Sequence, residues 1–226
     1  MAAPKSWPIR RKDEVFVTAR SRTGHKMAMS MPLSMIFKDL LGLARTNREV
    51  RMVLQGKKVL VDGARRYRLN ASAGFMDVIS FLDVASAYRV FMDRQGRLFT
   101  YEIPQKEASL KLCKVSVKHS LGKSKEQIGF TDGRTVVVKD SSEFKIGDGV
   151  LMDLEKKEIR EHIPLDRGAL VMLTGGSHKG HLAQVSAIEG RIIHCQAEGV
   201  EFTTRRRYAF VLGKGKPAIA IPEGAA

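Results

Sequence analysis

The segment VMLTGGSHKGHLAQV, residues 171–185, combines side chains that could support three kinds of chemistry. Three glycines, Lys179 and two histidines, His178 and His181, lie between two apolar runs. Glycine and lysine together can cradle a phosphate, and histidines can ligate a metal ion. A tight basic turn can also be presented to a nucleic acid. The elements that flank the segment decide between these sites.

The pattern argues against a nucleotide-binding phosphate loop. Such a loop reads G-x-x-x-x-G-K-[ST] and joins a strand to a helix. Here Lys179 precedes Gly180, and no Ser or Thr follows directly. The residues after the turn are strand-like, so no helix N-terminus would face the phosphate. Nucleotide binding at this turn is therefore not expected.

A metal centre and a catalytic site are not expected either. Zinc sites take four ligands at paired spacings, whereas the adjacent His194 and Cys195 would point to opposite faces of a strand. The chain contains neither G-x-S-x-G nor H-E-x-x-H, and its carboxylates form no clear acid–base pair. We therefore predict no enzymatic activity, no cofactor and no metal. The distant Cys113 and Cys195 are expected to be buried thiols of an intracellular protein.

The charge balance indicates a polyanionic partner. The chain has 39 Lys and Arg against 24 Asp and Glu, a formal net charge of +15. Phosphates attract such a surplus because their neutralisation releases condensed counterions. An apolar stretch of membrane-spanning length and a signal peptide are both missing from the sequence. Because aromatic residues make up only 7% of the chain, backbone and shape recognition of structured RNA is favoured over stacking on an aromatic platform.

Several predicted elements would carry this charge on one face. Residues 33–41 have helical periodicity after Pro32, and Thr46 with Glu49 forms a capping box for a second helix that ends near Gly56. Asp62-Gly63 is a tight-turn signal after a short strand, and residues 73–81 read as a further strand. From Arg45 to Arg68 the sequence has eight basic residues and two acidic ones. The eight are Arg45, Arg48, Arg51, Lys57, Lys58, Arg65, Arg66 and Arg68.

The remaining chain is predicted to be almost entirely β. Short strand candidates alternate with glycine turns from about residue 87, which is typical of small barrels. Pro164 marks a boundary, and Arg205, Arg206 and Arg207 follow a strand-like VEFTT, where RNA contact is favoured over a solvated charge run. We predict a basic arm over 1–28, an α+β module over 29–86, a central β domain over 87–164, a small barrel over 165–212 and a tail over 213–226.

Motifs along nearly the whole chain resemble one family, the archaeal and eukaryotic small-subunit ribosomal proteins of the four-e family. AAPKSWPIRRK (2–12) resembles its N-terminal arm, and TNREVRMVLQGKKVLVDGARR (46–66) with AGFMDVISF (73–81) resembles its S-four-like RNA-binding module. LKLCKV (110–115) matches its central domain, residues 168–185 resemble a KOW motif, and residues 210–222 resemble its C-terminal stretch. The length of the chain is more like that of an archaeal member.

The resemblance implies a multi-domain, mostly β fold: a small α+β S-four-like module, a central β-barrel and a C-terminal SH3-like KOW barrel. It also implies a structural constituent of the cytoplasmic small ribosomal subunit, in contact with ribosomal RNA and neighbouring ribosomal proteins. Whether the KOW turn faces RNA or protein stays open. The alternative is an extra-ribosomal KOW-containing transcription or translation factor that acts through protein contacts. The RNA-binding residues predicted from charge and resemblance together are Lys5, Trp7, Arg10, Arg11, Lys12, Arg45, Arg48, Arg51, Lys57, Lys58, Arg65, Arg66, Arg68, His178, Lys179, Gly180, Arg205, Arg206 and Arg207.

Overall fold

The structure, a computed structural model, describes residues 3–9, 16–56, 58–122, 125–197 and 199–222. The described residues fall into two units. The first is formed by Met1–Met92 with Arg97–Lys111, and the second by Asp93–Gly96 with Leu112–Ala226. None of the described helices is long and apolar enough to cross a membrane.

The first unit begins with its helical part. A 3-10 turn (Met27–Met29) leads into strand β1 (Ser30–Pro32), helix α1 (Leu33–Met35) and a π-helical turn (Ile36–Leu40). Gly42 then takes the left-handed conformation, φ +62°, and ends the helical run as predicted. Helix α2 (Asn47–Gln55) follows, with Val50 and Leu54 buried. The apolar spacing therefore forms helices at the predicted places, although the first one widens into a π turn.

A five-stranded antiparallel sheet completes this unit. Its strands are β2 (Val59–Val61), β3 (Ala64–Arg65), β5 (Val78–Phe81), β6 (Ser86–Met92) and β7 (Leu98–Ile103), in the order β3-β2-β5-β6-β7, while β4 (Ser72–Gly74) pairs with β1. A 3-10 turn (Gln105–Glu107) follows β7. The predicted strand over 73–81 is in fact two strands in different sheets. Met76, at φ +68°, turns the chain between them, and Asp77 accepts the Gly74 N–H at 2.7 Å.

The predicted boundary between residues 86 and 87 is wrong. It cuts β6, which pairs with β5 through Val78–Arg89, Ile79–Tyr88 and Ser80–Ala87. The β6–β7 hairpin therefore belongs to the sheet of the first module and not to the central domain. Its periodicity resembles that of the later strands, and only the hydrogen bonds to β5 distinguish it.

The second unit is built mainly from two five-stranded sheets. The first consists of β8 (Leu110–Ser120), β9 (Glu126–Phe130), β10 (Thr135–Val138), β11 (Gly149–Asp153) and β12 (Glu158–Ile163), in the order β10-β9-β8-β11-β12. The second consists of β13 (Ala169–Leu173), β14 (Leu182–Glu189), β15 (Ile192–Ala197), β16 (Val200–Arg205) and β17 (Ala209–Lys214), in the order β16-β15-β14-β13-β17. The mostly β fold class is confirmed. The predicted border at 164/165 falls between two strands, whereas the border at 212/213 cuts β17.

Apolar packing and register shifts shape these sheets. Cys113, Val115, Ile128, Phe130 and Val150 belong to one core cluster. The pairing register shifts between Val115 and Val117 and again between Val185 and Ala187. Such bulges bend a strand, which lets a short sheet curve around its core. Both cysteines are buried thiols, and burial raises the pKa of Cys195 to about 11, so its thiol stays protonated at neutral pH.

Candidate nucleic-acid interface

The Glu49 carboxylate, which lies on the basic edge of α2, is hydrogen-bonded to the residues at the N-terminal end of that helix. The Thr46 hydroxyl accepts the Glu49 N–H at 3.3 Å, which confirms half of the capping box. The Glu49 carboxylate accepts the Arg45 N–H and the Thr46 hydroxyl, each at 2.9 Å, so it reaches one residue further back than a standard box. The Arg45 N–H and then the Thr46 hydroxyl lower the pKa of Glu49. The Glu49 carboxylate is therefore fixed by hydrogen bonds at the N-terminal end of α2.

The second acidic residue of the basic stretch points inward. Asp62 and Gly63 both have positive φ, 51° and 74°, as a type I′ hairpin turn requires. The Asp62 carboxylate accepts the Val78 N–H at 2.8 Å and a hydrogen bond from the buried Lys111 ammonium at 2.7 Å. Lys111 also donates to Asp77 at 2.5 Å. These hydrogen bonds hold the Asp62-Gly63 turn, which immediately precedes Arg65 and Arg66, in one position.

The ion cluster under this turn includes a histidine of the N-terminal segment. His25 Nε2 lies 2.8 Å from an Asp77 carboxylate oxygen. Burial raises the pKa of Asp77, but the charges of Lys111 and His25 outweigh burial and hold this pKa well below its usual range. Asp77 is consequently ionised at neutral pH and anchors both partners.

The stretch from Arg45 to Arg68 carries six exposed arginines. Lys58, another predicted member of this surface, is partly neutralised by Asp83 at 2.6 Å, and both side chains of that pair are more than half exposed. In the part of the chain that the structure describes, no carboxylate lies within ion-pair distance of the six guanidinium groups. These are the groups of Arg45, Arg48, Arg51, Arg65, Arg66 and Arg68. The six arginines are thus exposed side chains that lie just before and on α2, at the end of β3 and in the segment after β3.

The N-terminal arm departs from the prediction at Trp7. This side chain is only 3% exposed, and its indole N–H donates to the Ser30 carbonyl at 2.8 Å. Trp7 is therefore an anchor in the interior and not an RNA contact, because its ring has no free face. Lys5 is exposed as expected. The predicted contacts at Arg10, Arg11, Lys12 and Lys57 lie outside the described residues.

The turn of the KOW-like segment packs within its own unit. Gly180 has φ +80°, and a Cβ there would lie 1.9 Å from the Asp93 carbonyl oxygen. A Cβ on Gly96 would lie 2.3 Å from Lys179 Cδ, so the lysine stem covers that glycine. The close approach of the two turns thus requires a glycine at 180, where the neighbouring atoms are backbone, whereas the lysine stem beside Gly96 could move. The predicted RNA-binding role of Gly180 is corrected, because its surface is occupied by the chain itself.

The histidines beside this turn are also engaged with the barrel. The His178 ring stacks on Phe202 with a centroid distance of 4.0 Å and an interplanar angle of 21°, and it lies 6.0 Å from the His181 ring. The described residues contain no cluster of three or more His, Cys, Asp or Glu that could hold a metal. His178 therefore packs against Phe202 and is only partly exposed.

The three side chains of the triple-arginine turn, residues 205–207, differ in exposure. Arg205 and Arg207 are exposed, whereas Arg206 is half-buried and its Nε has no hydrogen-bond partner among the described residues. Sequence reasoning missed Lys114, whose buried ammonium donates to the Arg207 carbonyl at 2.8 Å and to the Ala209 carbonyl. A lysine inside the apolar run LKLCKV was the available signal, and it applies equally to Lys111.

Comparisons with known proteins bear on the whole chain. Residues 84–159 match the model of the ribosomal family S4e. The small ribosomal subunit protein eS4 of Methanosphaera stadtmanae is 36% identical over 97% of this chain and 92% of its own length. The protein of the same name from Methanocaldococcus jannaschii is 35% identical over 98% and 95%.

A solved structure agrees with these relatives. The crystal structure of the 30S ribosomal protein S4e from Thermoplasma acidophilum matches with a TM-score of 0.72 and 33% identity, covering 82% of this chain and 96% of that one. Relatives above 30% identity along nearly the full chain show common descent. The fold of the solved relative matches the fold of this chain. The chain belongs to the S4e family of ribosomal proteins.

Proposed function

We propose that this chain is a structural constituent of the small ribosomal subunit that binds ribosomal RNA through its basic surfaces and holds rRNA helices in place. The observation that carries the proposal is the set of six exposed arginines in the first unit, from Arg45 to Arg68. The Glu49 carboxylate accepts hydrogen bonds at the N-terminal end of α2, and the Asp62 carboxylate accepts one from the buried Lys111 ammonium, so among the described residues neither forms an ion pair with these arginines.

The binding mechanism is electrostatic and geometric. Guanidinium groups bind phosphate oxygens, often in pairs, and phosphate contacts position the protein without reading sequence. Specificity then comes from the shape of the folded RNA. The capped helix α2 and the pinned hairpin β2–β3 hold their arginines on ordered backbone, which reduces the entropy lost on binding.

The comparisons favour this function over an extra-ribosomal factor. The relatives are named as small ribosomal subunit proteins over nearly the full length of the match. The assignment to the cytoplasmic ribosome, with rRNA and neighbouring ribosomal proteins as partners, rests on the same relationship. We propose no catalytic role for any residue of the chain.

Substitution of three arginines tests the proposal. The full-length variant with Arg48→Gln, Arg51→Gln and Arg66→Gln should bind small-subunit rRNA more weakly than the parent. Its plot of log affinity against log salt should be shallower by about 2 to 3, because each lost phosphate contact removes roughly 0.7 to 0.9 from the slope. Filter binding over a series of salt concentrations measures both quantities.

The matched control has the same net charge as the first triple variant. The variant with Arg160→Gln, Arg167→Gln and Arg191→Gln also removes three exposed arginines, all in the second unit. It should retain a slope close to that of the parent. If both triple variants lose affinity and slope equally, the first-unit surface has no special role, and a parent that does not bind rRNA refutes the function altogether.

A further inference from the structure

One exposed aromatic side chain lies among the arginines at the end of the basic stretch of the first unit. Tyr67 stands between Arg66 and Arg68 in the segment that joins β3 to β4, and it is 51% exposed. Single exposed apolar side chains are common and need no function. Tyr67 therefore needs further observations before any role is assigned to it.

The other three tyrosines all use their rings inside the protein. Tyr88 packs edge-on against Phe81 at 6.0 Å, and Tyr101 packs against Phe91 at 6.1 Å. The Tyr208 ring lies under Arg207 at 4.8 Å and against the backbone of the glycine-rich turn. Within the described ranges, the Tyr67 ring has no aromatic or cationic partner, and its hydroxyl has no hydrogen bond. Packing therefore explains three tyrosines and leaves Tyr67 unexplained.

The segment that carries Tyr67 is held at both ends. Upstream, Arg65 pairs with Leu60 in the hairpin whose turn is pinned by Lys111. Downstream, the Ala71 N–H donates to the Arg68 carbonyl at 3.0 Å, and the Ala71 carbonyl accepts the Leu33 N–H at 2.7 Å. The ring is therefore presented on a fixed backbone, so little ordering is needed when a ligand binds.

The chemistry around the ring selects one kind of ligand. Arg65, Arg66 and Arg68 are exposed beside it, and none has a carboxylate within ion-pair distance among the described residues. A ligand that satisfies them must carry several anionic groups and a flat face for the ring. Nucleotides have both, but bases within a helix are stacked on each other and offer no free face. Only a base in a bulge, a loop or a strand end can stack on a protein ring.

We infer that Tyr67 stacks on an unpaired base of the bound RNA while the flanking arginines bind the adjacent phosphates. The ligand of this surface is thus an irregular element of folded RNA and not a continuous helix. This inference rests on the proposed function and deepens it. It also supplies a stacking contact that the low aromatic content of the chain had argued against.

Salt dependence separates stacking from charge neutralisation. In the full-length protein, Tyr67→Leu should weaken binding to small-subunit rRNA by about 5- to 150-fold, the range for one base–aromatic stack, with the salt slope unchanged. Tyr67→Phe keeps the ring and should stay within about twofold of the parent. Arg66→Gln should instead lower the slope by roughly 0.7 to 0.9. Val137→Ala, at a side chain that is 56% exposed on the edge strand β10, should change neither quantity.

Chemical probing of the same complexes locates the stacked base. At least one unpaired base should be protected by the parent and by the Tyr67→Phe variant but should react in the complex with the Tyr67→Leu variant. Parent-like affinity of the Tyr67→Leu variant at every salt concentration overturns the inference and leaves the proposed function standing. Unchanged binding to naked rRNA with defective entry into the subunit also overturns it, because it indicates a protein partner. A parent that does not bind rRNA overturns both proposals.

Discussion

Two buried cationic side chains, Arg89 and Lys111, hydrogen-bond to turn and loop residues of the first unit. Arg89 is fully buried and donates to the Leu110 carbonyl at 2.8 Å and to the Glu107 carboxylate at 3.4 Å. Lys111 is 1% exposed and joins Asp62 to Asp77. Buried charges are tolerated only when they are paired and hydrogen-bonded. The loss of one charged group therefore leaves its partners buried with fewer compensating interactions. Lys111 should therefore control the stability of this unit.

We expect Lys111→Met to destabilise the first unit by about 3 to 5 kcal/mol, the usual cost of breaking a buried ion pair. Methionine keeps most of the side-chain volume but removes the ammonium group that lies between two buried carboxylates. Urea unfolding followed by fluorescence measures the effect, because the single tryptophan, Trp7, is buried in this unit. Lys106→Met, at an exposed position of the same unit, is the matched control. Equal unfolding midpoints for the two variants would contradict this role of Lys111.

Residue type alone did not separate anchors from contacts. Trp7 lies in a basic arm and was predicted to bind RNA, yet its indole fills the core and its N–H donates to Ser30. Tyr67 lies in an equally basic context and stays exposed. The two cases differ only in whether another element packs over the ring, and a single sequence does not carry that long-range information.

At the level of elements, the tight turn at Gly180 depends on a partner distant in sequence. Its N–H donates to the Leu173 carbonyl at 2.6 Å, and its Cα faces the backbone of Asp93 and Arg94. Any side chain at this position would both strain the left-handed backbone and displace the 93–96 turn. Glycine is therefore required at position 180 for two reasons, the positive φ and the close approach of the 93–96 backbone.

Gly180→Ala should destabilise the second unit by more than about 2 kcal/mol, because the left-handed strain of about 1 to 2 kcal/mol adds to a backbone clash. Gly190→Ala is the control, since Gly190 also has a positive φ, 56°, but a Cβ there would meet nothing within 4 Å. That variant should show the strain alone. Thermal unfolding followed by circular dichroism compares them, and equal losses would show that the contact with Asp93 contributes nothing.

Elements fixed by local chemistry were predictable, and those fixed by tertiary hydrogen bonds were not. The cap at Thr46 and the turn at Asp62-Gly63 depend on side chains within a few residues, and both form as expected. The strand expected over 73–81 breaks at Met76 because its N–H donates to the Val90 carbonyl of a different strand. Alternation alone does not show which sheet a strand will join.

For the molecule as a whole, net charge predicted the class of partner but not the surfaces that bind it. The surplus of +15 is a sum over the chain, and the structure removes some of the candidates from the surface. Arg206 is half-buried, and Lys58 is paired with Asp83. The exposed arginines that remain among the candidates are the set of the first unit and, in the second unit, Arg205 at the end of β16 and Arg207 just after it.

The second-unit pair provides the test of whether RNA binding extends over both units. Lys114 fixes the backbone of this turn by donating to the Arg207 carbonyl, so Arg205 and Arg207 are displayed on an ordered segment. If both bind phosphate, the full-length variant with Arg205→Gln and Arg207→Gln should lower the salt slope for rRNA binding by about 1.4 to 1.8. Arg160→Gln with Arg167→Gln, two exposed arginines of the same unit, should leave the slope near that of the parent.

Combination with the first-unit substitutions completes this test. Contacts to different phosphates release different counterions, so the slope changes of Arg205→Gln with Arg207→Gln and of the Arg48, Arg51 and Arg66 triple variant should add. A five-substitution variant that binds with the slope of the triple variant alone would restrict rRNA contact to the first unit. The triple-arginine turn would then be a solvated charge run, and the second unit would be free to bind neighbouring proteins.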